Sequence, residues 1–183
     1  MRMGGGESIF DKIGEDDIIL AFFPCTRFEC QITMNFRGEA FQQANWTDKQ
    51  KLEYSMQLHN ELHRNYRLIS ELALIAINRG LKLIIENPYT QPHYLTTYWS
   101  LKPKLIDGDR TRNGDYMKKP TQFFYVCCEP ENNILMEPIE FVELRTHERM
   151  KTNDDGISIQ VKRSMIHPQY ANRFIRQFIL NEA

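Results

Sequence analysis

Two apolar runs dominate the hydrophobic pattern of this chain, at residues 18–23 and 81–88, the second ending in Glu86-Asn87-Pro88. Both runs are too short to cross a membrane. The first lacks the polar alternation of a half-exposed strand and predicts a strand buried on both faces of a parallel sheet. The second repeats this arrangement, so it predicts a second buried strand.

A long amphipathic helix is predicted between the two strands. Thr47 and Asp48 provide an N-cap signal, and apolar residues then recur at helical spacing as far as about Asn78. Gly80 follows the helix, and the second strand begins at once. This order predicts that the strands are adjacent and parallel, joined by a right-handed crossover through the helix.

The remaining elements have weaker patterns. In chain order they are a short helix near residues 9–13, a functional loop or lid at 26–46, a short strand at 104–106, an exposed loop at 107–117, a buried strand at 122–128, a possible strand near 141–142 and a helix from Pro168. The strand at 122–128 is predicted to be antiparallel to at least one neighbour, as an edge hairpin. The length fits a single α/β domain over residues 1–183.

Composition narrows the function only a little. The chain has 23 Lys and Arg against 24 Asp and Glu, so its net charge of −1 gives no global attraction to nucleic acid. Residues 102–121 hold six basic and three acidic side chains, which is either a local patch for polyanions or a solvated surface. The four cysteines form no CxxC pair, which argues against a zinc ribbon or a thioredoxin-type site. With neither a signal peptide nor a long apolar span, a cytoplasmic protein with reduced thiols is expected.

The two long strands place reactive residue types at one edge. Cys25 follows the first strand and Glu86 closes the second, and parallel sheets carry ligands at the carboxyl ends of their strands. A thiolate is an intrinsically strong nucleophile, and a carboxyl group whose pKa is raised by burial keeps the proton that an acid catalyst needs. Two structural interpretations stay open: Cys25 as a small packing residue, and Glu86 as the cap of a neighbouring helix.

These residues carry a resemblance to a known family. Phe23-Pro24-Cys25 and Glu86-Asn87-Pro88 resemble the Pro-Cys and Glu-Asn-Val/Pro motifs of the DNA (cytosine-5) methyltransferases, in particular the short, divergent members of phage and mobile DNA. Residues 118–121 (KKPT) and 163–168 (RSMIHP) resemble late motifs of the same members.

The resemblance implies a fold and a reaction. The fold would be a partial Rossmann-like methyltransferase sheet, mostly parallel with an antiparallel edge strand and helices on both faces. Cys25 would add to C6 of a cytosine flipped out of DNA, Glu86 would act at N3, and S-adenosylmethionine would be the methyl donor. The implied substrate-binding residues are Pro24, Asn87 and Pro88 of the motifs and the basic residues Arg27, Arg110, Arg112 and Lys119.

One departure from the family limits this expectation. The family's donor site begins with a Phe-x-Gly-x-Gly motif upstream of the Pro-Cys strand, and the sixteen residues before Asp17 hold no such motif. The domain is therefore expected to be truncated at its N-terminus and incomplete alone. A second chain or a second copy of this chain would complete the site.

Two alternatives stay open, and a metal site is set aside. The chain can be a non-catalytic nucleic-acid-binding or interaction module that retains the fold. It can be an unrelated α/β enzyme in which Cys25 works with His93 or His167 as base. The pair His59 and His63 has zinc-ligand spacing, but Glu61 is misplaced for a metalloprotease, so no metal is expected.

Overall fold

A computed structural model describes residues 9–29, 32–90, 92–115, 117–131 and 165–180. They form a mixed α/β structure with strands β1 (Ile18–Phe22), β2 (Lys82–Pro88), β3 (Leu105–Asp107) and β4 (Thr121–Val126), and helices α1 (Ile32–Phe36), α2 (Asp48–Arg79), α3 (Tyr94–Tyr98) and α4 (Pro168–Ile175). Short 3₁₀ segments lie at Ile9–Lys12, Phe41–Gln43 and Arg110–Asn113, and a π-helical turn at Arg176–Leu180 follows α4. The predicted strand near residues 141–142 and the motif residues 163 and 164 lie outside the described residues.

The four strands form one mixed sheet in the order β1-β2-β4-β3. β1 and β2 are adjacent and parallel, in register from Ile18 opposite Lys82 to Phe22 opposite Glu86, so the predicted adjacency and parallel direction are confirmed. The other two neighbouring pairs both contain β4, so a mixed sheet requires β4 to be antiparallel to at least one neighbour, as predicted. β4 is not an edge strand, however, because it lies between β2 and β3 and is buried along its whole length.

The long helix α2 has the predicted limits. The Thr47 side chain accepts a hydrogen bond from the Gln50 backbone, and the Gln50 side chain accepts one from the Thr47 backbone, which is a complete capping box. Gly80 ends the helix with φ at 66°, a left-handed conformation that costs glycine little. The backbone therefore turns directly from α2 into β2, as a strand–helix–strand unit requires.

The chain divides into two compact units, and the prediction of a single domain is not tested by this division. The first unit is Met1–Lys104 with Phe123–Glu129, and the second is Leu105–Gln122 with Pro130–Ala183. The core of the first unit lies between α2, α3 and one face of the sheet. Its fully enclosed members include Ile69 of α2, Leu83 and Ile85 of β2, Leu95 of α3 and Phe124 of β4.

The prediction that the first strand is buried on both faces is wrong. β1 lies at one end of the strand order, and its two faces differ. Ile19 and Ala21 pack against the core of the first unit, whereas Leu20 and Phe22 on the opposite face are exposed, Phe22 by 59%. A continuous apolar run predicts a strand whose two faces are both packed against other residues. Among the described residues, only one face of β1 is packed in this way.

The predicted exposed loop at 107–117 is wrong for part of its length. Within the second unit, Arg110, Gly114, Asp115 and Met117 are buried. The Arg110 guanidinium pairs with the Asp115 carboxylate and lies 4.3 Å from the ring centroid of Tyr170 in α4. This charge is buried because an opposite charge and an aromatic face enclose it.

In the described part of the chain, no helix is both long enough and apolar enough to span a bilayer.

Candidate active site

Cys25 lies in a tight turn just beyond β1. Its carbonyl accepts hydrogen bonds from the backbone N–H groups of Phe28, at 2.8 Å, and Glu29, at 3.3 Å. Its side chain is half-buried and not in a disulfide, and the preceding Pro24 is exposed. The thiol therefore belongs to a fixed turn at the carboxyl edge of the sheet, as predicted from the sequence.

Glu86 occupies the same edge of the sheet on the neighbouring strand. Glu86 lies opposite Phe22 of β1 in the parallel register. Phe22 lies three residues before Cys25 in the chain. Glu86 is only 8% exposed, and Asn87 and Pro88, which the resemblance assigns to substrate binding, are buried as well. Asn87 and Pro88 thus shape the edge of the site. The side chain of Glu86 is slightly more exposed to solvent there than that of Asn87.

Hydrogen bonds tie the Cys25 turn to the segment after Glu86. The Asn87 side chain donates through Nδ2 to the Phe23 carbonyl at 3.5 Å, and its Oδ1 accepts from Nε2 of His93 at 3.1 Å. The backbone N–H of Tyr94 donates to the Phe28 carbonyl at 2.8 Å. Residues before and after Cys25 therefore bond to the segment that follows Glu86, which fixes the Pro-Cys turn beside the end of β2. Such fixed placement is the preorganisation that a two-residue site needs.

His93 positions the Asn87 side chain, whereas its expected role from the sequence was that of a base. It is buried at the start of α3, and burial lowers its pKa from 6.5 to about 4. Its ring is therefore neutral near pH 7, with Nε2–H committed to Asn87, which makes it a poor general base for Cys25. The only sequence signal for its role is its place six residues after Asn87.

Arg27 is the site-adjacent basic residue of the first unit. It is half-buried and forms an ion pair with Glu61 of α2, with Nη2 2.5 Å from Oε2. Hydrogen bonds from Gln57 and from Arg27 lower the pKa of Glu61. Arg27 thus anchors the turn after Cys25 to α2, and its charge is largely balanced by that carboxylate.

The other basic residues proposed for the substrate belong to the second unit. Arg110 is fully buried against Asp115 and Tyr170, so its guanidinium is not presented to solvent. Arg112 is exposed, and Lys119 is half-buried. Of these three, Arg112 has the most exposed side chain, and its Nε lies 3.8 Å from Oδ2 of Asp109.

The histidines do not form a metal site with the other described residues. Among these residues, no group of three or more His, Cys, Asp or Glu side chains is arranged to hold a metal ion. His59 instead bonds the Ser55 carbonyl through Nδ1 at 2.8 Å and packs edge-on against Phe36. His167 caps α4, its Nδ1 accepting from the Gln169 backbone at 3.2 Å.

Comparison with known proteins gives no relative: no family model matches the chain, and no curated protein or solved structure is significantly similar to it.

Proposed function

We propose that this chain is the catalytic half of a DNA cytosine C5-methyltransferase-like protein. The observation that supports the proposal best is the joint placement of Cys25 and Glu86 at the carboxyl ends of adjacent parallel strands. That edge is where open α/β sheets carry their chemistry. The finer fold expectation, a partial Rossmann-like sheet covered by helices on both faces, belongs to the same proposal.

The two side chains have complementary roles in activating a cytosine. The Cys25 thiolate adds to C6, forming the S–C6 bond, while Glu86 in its protonated form donates to N3, where negative charge develops. C5 becomes nucleophilic as a result. If C5 takes a proton from solvent and loses the one it carried before, expulsion of the thiolate with return of the N3 proton to Glu86 restores the aromatic ring with its C5 hydrogen exchanged.

The described residues do not fit S-adenosylmethionine. Residues 9–17 contain a 3₁₀ turn and the single glycine Gly14, without a strand or a glycine-rich turn that could hold the methionine end of the donor. Methyl transfer therefore requires a donor site from outside the described residues.

The side of β1 on which no described strand lies is the proposed place where a second chain completes the site. In doubly wound sheets the second half begins next to the first strand of the other half. Leu20 and Phe22 are exposed on one flank of β1. On the α2 side, Leu68 and Ile75 are exposed on the helical face shared with Arg79. Exposed apolar side chains thus lie both on β1 and on α2, and another α/β half could cover them.

The position of Arg79 supports this assignment of the α2 face. Its guanidinium donates to the carbonyls of Phe10 and Ile13, at 2.5 and 3.3 Å, in the segment that leads into β1. The helical face that carries Leu68, Ile75 and Arg79 therefore ends beside the segment that leads into β1. The occupant is a chain, or a second copy of this one, that supplies a strand beside β1.

A non-catalytic nucleic-acid-binding module is the second candidate. It is favoured by the lack of a donor site among the described residues. The two candidates differ in whether Cys25 reacts with a cytosine, which a C5 hydrogen-exchange assay measures without any methyl donor.

The assay follows tritium release from an oligonucleotide that carries 5-tritiated cytosine opposite an abasic position, because an unpaired base is least costly to flip. We expect release by the 183-residue chain, background release by Cys25→Ser, and rates reduced by about 10²- to 10⁴-fold in Glu86→Gln, which cannot give a proton. Cys127→Ser, at an exposed thiol beyond β4, is the matched control and should equal wild type. Binding of DNA without release would favour the non-catalytic module.

A further inference from the structure

A cavity of ≈ 520 Å³ opens between α1, α2 and α3 of the first unit. Its volume falls in the range of about 300–1,000 Å³ that is typical of small-ligand sites. Neither Cys25 nor Glu86 lines it. Two of its lining residues nevertheless lie next to the proposed active site: Arg27 belongs to the turn that starts at Cys25, and His93 bonds Asn87. The cavity therefore adjoins the proposed active site without being part of it.

Aromatic rings form two walls of this cavity. On the α3 side, Tyr94 and Tyr98 lie with ring centroids 4.9 Å apart, and Tyr94 stacks on the buried Phe28 at 6.2 Å. Tyr98 is 68% exposed. On the opposite side, the Phe36 and His59 rings meet edge-to-face at 4.7 Å. The inner rings are fixed by the core, while the outer ring offers its face to a planar ligand.

The lining of the cavity contains one cationic side chain that can meet an anion. Arg37 is exposed, and among the described residues it has no ion-pair partner. Arg27 also lines the cavity but is paired with Glu61, and Glu29 is the one acidic side chain in the lining. The Arg27 charge is balanced by Glu61, so Arg37 is the cation that the lining offers to a phosphate. A cation near an exposed aromatic ring, here Tyr98, is the combination with which proteins hold single nucleic-acid strands.

We propose that this cavity binds one unstacked nucleotide of a DNA strand, with the base against Tyr98 and the phosphate near Arg37. The inference rests on the nucleic-acid substrate of the proposed function, but it does not require catalysis by Cys25. A nucleotide has the planar apolar ring and the anionic group that these two walls complement, and the site size suits one such unit.

The test is fluorescence anisotropy with a labelled single-stranded oligonucleotide at several salt concentrations. Tyr98→Ala should weaken binding by about 5- to 150-fold, the range expected for loss of one base–aromatic stack, and Tyr98→Phe should bind nearly as wild type. Arg37→Ala should weaken binding and lower the slope of log K against log salt by about 0.7, as loss of one phosphate contact to a single strand requires. Arg67→Ala is the control, at an exposed arginine of α2 that pairs with Glu71 and does not line the cavity, and it should change neither affinity nor slope.

Wild-type affinity in both Tyr98→Ala and Arg37→Ala would overturn the inference, and so would an equal loss in Arg67→Ala. A deoxynucleoside monophosphate that competes as well as the oligonucleotide would overturn the assignment to a strand. Loss of binding in Tyr98→Ala together with background tritium release by wild type would defeat the proposed catalysis and leave this inference standing.

Discussion

The buried histidine of the candidate site makes the stability of this protein depend on pH in a defined window. His93 has a pKa of about 4 in the folded chain and of 6.5 when unperturbed. Between these values the unfolded chain binds more protons than the folded one, so stability is fully present above about pH 6.5 and is lost as the pH falls toward 4. At pH 5 the expected loss relative to pH 7 is about 2 kcal/mol.

Urea unfolding at pH 5 and pH 7 measures this loss. Other groups also titrate, so the relevant quantity is the difference between wild type and His93→Gln, whose amide can still donate to Asn87 but does not titrate. We expect wild type to lose about 2 kcal/mol more than His93→Gln between the two pH values. His63→Gln, at an exposed histidine of α2, should behave as wild type.

Equal losses in wild type and His93→Gln would show that the pKa of His93 is not lowered by folding. Should His93→Gln fail to fold, an NMR titration of the imidazole in wild type decides the question instead. A midpoint near pH 4 supports the buried neutral ring, and a midpoint near 6.5 contradicts it.

Three further predictions concern packing and assembly. Asp115→Ala should destabilise the fold by about 3–5 kcal/mol in urea unfolding, because it removes the carboxylate that pairs with the buried Arg110 guanidinium, whereas Arg112→Ala at an exposed site should stay within about 0.5 kcal/mol. Thr47→Ala should cost about 1 kcal/mol in the same assay through loss of the α2 cap, and no loss would contradict that role. Phe22→Ser should leave stability nearly unchanged but reduce methyl transfer in the presence of a completing chain, and unchanged transfer would exclude β1 as the docking edge.

The parallel pair of strands and its helix could be predicted because their signals are local and strong. A continuous apolar run marks each strand, and the Thr47 cap and Gly80 bound the helix between them. Since the carboxyl ends of adjacent parallel strands share an edge, the placement of Cys25 and Glu86 followed from the same pattern.

What the sequence did not reveal depends on contacts between distant residues. The run at β1 could not show that only one of its faces is covered, because that depends on which strands lie beside it. Arg110 belongs to a polar stretch that is typical of an exposed loop, and its burial depends on Tyr170, sixty residues later. The cavity beside the site likewise needs three helices, and no periodicity joins Phe36 or His59 to Tyr98.

The most direct test of the central claim is covalent capture of the proposed nucleophile. The chain would be incubated with an oligonucleotide that contains 2-pyrimidinone opposite an abasic position, because the C6 of that base is electrophilic enough to add a thiolate without a methyl donor. Peptide mass spectrometry would then locate the adduct. The account predicts one adduct, on Cys25, that is absent from Cys25→Ser and weaker in Glu86→Gln. Adducts on Cys127 or Cys128 in place of Cys25, or none with an oligonucleotide that is shown to bind, would contradict it.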